Sequence, residues 1–202
     1  MDKTKNGIRI VTILGTSRPG DFTSKALALA VDELKVQPGV QVMSFDRTHL
    51  SLPFPGQPGE FPDREELQSA VKDATGVILA TPEYHGSFAA MMKLVIENLG
   101  FPSTLAGKPV ALLGVAGGRI GAMKSLEQLR SVCSHVGAIV LPGPVSVANV
   151  QKAFDDQGRC LDEGVQKQLR GVATGLLNYI HEHICPKFAL EQMVRSRPGE
   201  AA

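Results

Sequence analysis

Ile8-Arg9-Ile10-Val11-Thr12-Ile13-Leu14-Gly15-Thr16-Ser17-Arg18-Pro19-Gly20-Asp21-Phe22-Thr23-Ser24 is the stretch that decides the fold. Its first seven residues are nearly continuous in apolar, largely β-branched character, as in a parallel strand covered on both faces. Beyond the polar stretch, Ala26, Leu27, Ala30, Val31 and Leu34 recur at helical spacing. The loop between strand and helix carries two glycines, a guanidinium and several hydroxyls. The helix it opens presents unpaired N–H groups and the positive end of its dipole, so a phosphate or other anion fits there. Neither G-x-x-x-x-G-K-[ST] nor G-x-G-x-x-G occurs near this strand, which argues against a nucleoside triphosphatase and a standard dinucleotide fold. A purely structural reading also fits, with Thr23 or Ser24 capping the helix and Gly15 and Gly20 forming a tight turn.

Working outward, apolar runs at 8–14, 40–45, 76–80, 109–115 and 137–141 read as five strands. Helical periodicity fills 22–36, 63–74, 88–99, 120–136 and 162–184. Strands alternating with helices predict an α/β fold: a doubly wound parallel sheet with helices on both faces and strand order 2-1-3-4-5. The switch point lies between strands one and three, so the loops after strands one, three and four should surround one crevice. The proline-rich stretch 50–62 forms no regular element and is expected to cover an edge of that crevice, to meet a partner subunit or to lie inert on the surface. Gln157-Gly158-Arg159 reads as the turn of a short excursion, and the tail after Pro186 as loosely attached.

Two hundred and two residues, 43% of them hydrophobic, suffice for one core, so a single domain spanning 1–202 is expected, with its body at about 8–184. Lys plus Arg total 21 against 20 Asp plus Glu, a net charge of +1 with no basic run. Neither nucleic acid nor an anionic membrane is therefore an expected partner. The absence of a signal-like or membrane-spanning segment predicts a cytoplasmic protein. Cys133, Cys160 and Cys185 are odd in number and widely spaced, which fits reduced thiols. Cys133 falls on the apolar face of its helix and reads as a packing thiol. In His181-Glu182-His183-Ile184-Cys185 the two histidines do not share a helix face, and His181 with Cys185 gives only two ligands, so no metal site is expected. Ser17 lacks the G-x-S-x-G elbow of a hydrolase nucleophile, although His49, His85, His135, His181 and His183 are present.

Two further loops carry chemistry. After strand three comes Thr81-Pro82-Glu83-Tyr84-His85-Gly86-Ser87-Phe88, leading into a helix with Met91, Met92, Leu94 and Val95; after strand four comes Gly114-Val115-Ala116-Gly117-Gly118-Arg119-Ile120-Gly121. Adjacent glycines let backbone approach a planar ring, and N–H groups at a helix start stabilise negative charge. Taken in order with the first loop, these segments resemble the NAD(P)H-dependent FMN reductase family of flavodoxin-like proteins over about residues 8–160. The family pattern is a G-S-x-R-x-x-S-x-N-like phosphate loop, a P-E-Y-N-x-S-like flavin loop and a glycine-rich loop after strand four.

The resemblance implies a flavodoxin-like FMN-binding fold with NADPH or NADH as electron donor. By position, Thr16, Arg18, Thr23 and Ser24 would hold the FMN phosphate. Pro82, Glu83, Tyr84, His85, Gly86 and Ser87 would line the isoalloxazine, with Ala116, Gly117 and Gly118 at its anionic edge. Arg119 would meet the pyridine nucleotide, or else be a solvated helix-start arginine. It also implies that the flavin carries the chemistry without a catalytic side chain, that a small-molecule electron acceptor (flavin, quinone or azo compound) is reduced by a ping-pong route, and that the chain forms a homodimer or homotetramer. Two departures stand out in the phosphate loop: Asp21 where serine is usual and Thr23 where asparagine is usual. Asp21 is expected to point away from a phosphate or to pair with Arg18. In the flavin loop His85 replaces the usual asparagine, adding a group that titrates near neutrality. Lys93 and Glu97 should form an ion pair at helical spacing. Two other readings use the same residues: a flavodoxin-like electron carrier served by a partner protein, and a cofactor-free binding or regulatory module.

Overall fold

The computed structural model describes residues 7–46 and 50–195; His49 lies outside the described residues, as do 196–202 of the expected tail. In chain order the elements are β1 (Ile8–Leu14), α1 (Phe22–Lys35), β2 (Val40–Phe45), α2 (Pro62–Asp73), β3 (Gly76–Tyr84), β4 (Ser87–Phe88), α3 (Ala90–Glu97) and β5 (Pro109–Val115). They continue with α4 (Met123–His135), β6 (Ile139–Val140), β7 (Val145–Val147), α5 (Val150–Ala153), α6 (Glu163–Tyr179), a π-helical turn at Ile180–Ile184 and α7 (Cys185–Arg195). The main sheet runs β2-β1-β3-β5-β6, all parallel, with β7 also paired to β5. That is the expected 2-1-3-4-5 order. The fifth place is shared by two short strands, because Leu141-Pro142-Gly143-Pro144 interrupts what was read as one run at 137–141.

Alternation along the central strands divides the interior into two cores. Ile10, Leu14, Ile78, Ala80, Ala111 and Leu113 pack on one face with Ala26, Ala30 and Leu34 of α1 and Leu169, Ala173 and Leu176 of α6. On the other face Val11, Ile13, Val77, Leu79, Val110 and Leu112 meet Leu67 of α2, Met92 and Val95 of α3, and Leu126 and Leu129 of α4. Period-two side-chain alternation in each strand feeds both layers, so helices are needed on both sides. Cys133 is fully buried in the second core, and burial pushes its thiol up to about 12, leaving it an inert packing group.

Local chemistry sets the element ends. Pro62 stands at the first position of α2, where its missing N–H costs nothing. The Asp162 side chain accepts the N–H of Val165 at the start of α6. The π turn at Ile180–Ile184 falls just before Pro186, which cannot donate to a carbonyl four residues back and whose ring crowds it; a wider turn lets the helix continue. The expected loose tail after Pro186 is therefore helical as far as Arg195, as part of α7.

The largest departure from the sequence reading is in the third strand. It was expected to end at residue 80, but it runs on to Tyr84 and turns back through β4, with Glu83 opposite Phe88 and Tyr84 opposite Ser87. His85 and Gly86 form the two-residue connection with φ of 52° and 73°. Both angles lie in the left-handed region that a type I′ hairpin turn requires. Asparagine, the residue the resemblance leads one to expect at position 85, tolerates this conformation well, and histidine does so acceptably. His85→Asn is thus expected to be neutral or slightly stabilising, whereas the β-branched His85→Val should cost about 1–2 kcal/mol in thermal melts of the apoprotein.

Candidate functional site

The ends of β1, β3 and β5 converge, as the topology requires, on a cleft of about 370 Å³ lined by 18–23, Pro82, Glu83, Tyr84, Val115, Ala116, Gly117, Val150 and Gln151. The first wall is the loop leading into α1. Thr16 is buried, and its Oγ1 accepts the N–H of Arg18 at 3.3 Å, which bends the loop on itself. The Arg18 guanidinium lies over the Tyr84 ring, 5.1 Å from its centroid, so the first two walls touch through a cation–π contact at the mouth. Asp21, rather than Thr23 or Ser24, is the N-cap: its Oδ1 accepts the N–H of Ser24 at 2.9 Å, and the Ser24 hydroxyl donates to the Asp21 carbonyl at 2.7 Å. The Asp21 carboxylate is thus engaged by its own helix and not by Arg18. Ser24, expected at the phosphate, is outside the lining of the cleft.

Thr23 is 1% exposed, and its Oγ1 has no hydrogen-bond partner. A buried hydroxyl without a partner is costly, and here it sits on the first turn of α1, beside N–H groups that a helix start leaves unsatisfied. An anion with several oxygens would satisfy both.

The second wall is the hairpin. Pro82, Glu83 and Tyr84 line the cleft, but His85, Gly86 and Ser87 do not. Ser87 Oγ donates to Gln128 Oε1 at 2.7 Å, and Gln128 Nε2 donates to the Gly86 carbonyl at 3.0 Å, which ties the hairpin to α4. The Glu83 side chain accepts the N–H of Ser125 in α4 at 3.1 Å.

The third wall is the glycine loop. The carbonyls of Ala116, Gly117 and Gly118 accept from Val150 N, Gln151 Nε2 and Asn149 N at 3.1 Å each. Among the described residues the N–H groups of Gly117, Gly118 and Arg119 donate to no protein acceptor. A Cβ on Gly118 would meet nothing within 4 Å, and on Gly117 only Gln151 Oε1 at 3.6 Å, so the loop is open to a flat ligand. Gly118 and Arg119 are exposed beside the cleft and are not part of its lining. Phe22, Val115, Val150 and Gln151 are lining residues that the sequence reading missed. Phe22 and Val115 lie inside the quoted motifs without having been given a role, while Val150 and Gln151 belong to a four-residue helix with no motif of its own.

The residues present fit a flavin mononucleotide. One wall offers a helix start, an orphaned hydroxyl and a guanidinium for a phosphate; another offers free amides and bare glycine backbone for a ring edge.

The chain also makes a larger groove, about 870 Å³, between the proline-rich loop and the C-terminal ends of α3 and α4; it shares no lining residue with the cleft. Asn98 Nδ2 donates to the Pro53 carbonyl at 3.0 Å and fastens that loop, which therefore does not edge the crevice. Phe54 and Phe101 project from the same region, 71% and 104% exposed. Lys93 and Glu97 form their expected ion pair here. Among the described residues no helix is long and apolar enough to cross a membrane.

Solved structures share the fold of this chain. FerB, an NAD(P)H:acceptor oxidoreductase from Paracoccus denitrificans, superposes with a TM-score of 0.71 at 22% identity, covering 87% of this chain and 98% of that one. In sequence, an NAD(P)H-dependent FMN reductase of Pseudomonas aeruginosa is 31% identical over 180 residues, 82% of this chain and 93% of that protein. A quinone reductase of Escherichia coli is 29% identical over 184 residues, covering 86% and 95%. The model of the NADPH-dependent FMN reductase family matches residues 8–152, and the chain belongs to that family.

Proposed function

We propose that this chain is a cytoplasmic FMN-containing oxidoreductase that takes electrons from NAD(P)H and delivers them to a small acceptor, a quinone or flavin, by a ping-pong route over one ring face. The observation that carries the reading is the Thr23 hydroxyl, buried and unpartnered at the start of α1, on a residue that lines the same cleft as a glycine loop with free N–H groups. When bound, FMN would supply the redox chemistry, the capacity to take a hydride equivalent from NAD(P)H and give two electrons to an acceptor. The protein binds and tunes it. Thr23, the amides of α1 and Arg18 would hold the phosphate, Tyr84 and the backbone of Pro82 and Glu83 would flank the ring, and the amides of Gly117 and Gly118 would stabilise negative charge at its N1–O2 edge. Thr16 and Ser24 act one step removed, by shaping the phosphate loop. Arg119, exposed and next in sequence to Gly118, would meet the nucleotide phosphates. Quinones are favoured as acceptors because relatives are named for that activity, among them a 2-hydroxy-1,4-benzoquinone reductase of a Burkholderia species, 27% identical over 171 residues.

The exposed Phe54 and Phe101 beside the large groove support a homodimer or homotetramer that covers this face. The test is direct. Purified protein should take up FMN, show a flavin spectrum that bleaches on anaerobic addition of NADPH or NADH, recover it with a quinone, give parallel double-reciprocal plots, and scatter light as two or four copies of 21.5 kDa. Protein that stays colourless in excess FMN would overturn the proposal in favour of a cofactor-free module.

A further inference from the structure

Glu83 belongs to the cleft by position but serves α4 by its side chain. Its Oε2 accepts the N–H of Ser125, the third residue of α4, and Ser125 is fully buried. The residue at the N-cap itself is Ala122, which has no side-chain acceptor to offer. The cap of α4 is therefore imported from β3, forty-two residues away in sequence. Two other bonds complete the junction: Ala122 N–H donates to Ser146 Oγ of β7 at 2.8 Å, and Ser125 Oγ donates back to the Ala122 carbonyl at 2.8 Å. The segment between the glycine loop and α4 is thus pinned from both neighbouring strands.

This arrangement has an electrostatic side. The helix start that the glycine loop leads into carries a partial positive charge, and the Glu83 carboxylate places a full negative charge against it. The same group that fixes the loop also weakens its attraction for an anion. We infer that Glu83 is a positioning residue that locks the glycine loop to β3 and holds down the affinity of the cleft for reduced flavin, keeping the bound cofactor a strong reductant. The electrostatic half of this rests on the FMN reading above; the capping half does not.

Glu83→Gln and Glu83→Ala separate the two halves. Glutamine keeps a carbonyl oxygen to accept from Ser125 but removes the charge; alanine removes both. For Glu83→Gln the ratio of reduced-FMN to oxidised-FMN affinity should rise about two- to fivefold over the unmodified protein, with the midpoint potential of bound FMN moving positive. For Glu83→Ala the apoprotein should melt at a lower temperature than Glu83→Gln. An FMN-binding Glu83→Gln protein whose affinity ratio is unchanged, or moves toward oxidised FMN, would overturn the electrostatic role. Equal apoprotein melting of Glu83→Ala and the unmodified chain would overturn the capping role. An unmodified chain that binds no FMN in either state would instead overturn the functional reading, and the electrostatic role with it, while the melting comparison still decides the cap.

Discussion

Gly15→Val is expected to destabilise the apoprotein by about 1–3 kcal/mol and to weaken FMN binding by about tenfold or more. Gly15 is the last point of contact between β1 and β3, its N–H donating to the Ala80 carbonyl at 2.8 Å. A Cβ there would come within 2.8 Å of Met92 Cβ and 3.0 Å of Ala80 O. Neither is the free end of a flexible chain: one is anchored to α3, the other is backbone of the central strand. Even one methyl must therefore push the following loop outward, and valine adds two more carbons. The loop it displaces carries Thr16 and Arg18, and the loss of a single charge-assisted phosphate bond, about 1.5–3 kcal/mol, already accounts for the tenfold figure. Thermal melts and FMN titration read the two effects; unchanged values for both would show that the loop is not built on this contact.

Thr23→Val should move stability and affinity in opposite directions. In the apoprotein the hydroxyl is desolvated without compensation, so replacing it by a methyl of similar shape should stabilise by about 1 kcal/mol. A phosphate that the hydroxyl serves would lose one charge-assisted bond, and FMN should bind about tenfold or more weaker. A merely structural threonine would not produce the first effect together with the second. Should the variant melt earlier than the unmodified chain while binding FMN equally, Thr23 would be removed from the phosphate site.

Much of this architecture is legible in the sequence because strand period and helix period are written in apolar side chains. The runs at 8–14, 40–45 and 109–115 coincide with β1, β2 and β5, and the strand order follows from their alternation with helices. The misread features depend on what lies across space. Thr81-Pro82 looks like a strand terminator, yet β1 stops opposite Ala80, so on that side Pro82 faces no ladder and its missing N–H costs nothing. Asp21, Thr23 and Ser24 are all competent caps; the structure selects Asp21, whose carboxylate is three residues from the N–H it serves. The cap of α4 had no local signal at all, since Ala122 is silent and Glu83 is remote in sequence. The placement of Val150 and Gln151 on the cleft likewise depends on how β7 returns beside β5.

The divided fifth strand has a consequence for how molecules of this protein meet one another. A sheet margin with a continuous row of open amides is a template for a strand from a neighbouring chain. Here that margin consists of a two-residue and a three-residue strand, and the residues between them include Pro142 and Pro144, which have no N–H to offer. An approaching strand would find too few consecutive donors to hold a register. The interruption that obscures this strand in the sequence also guards this margin against strand addition, and of the two sheet margins it leaves β2, six residues without a break, as the one that could accept a neighbouring strand.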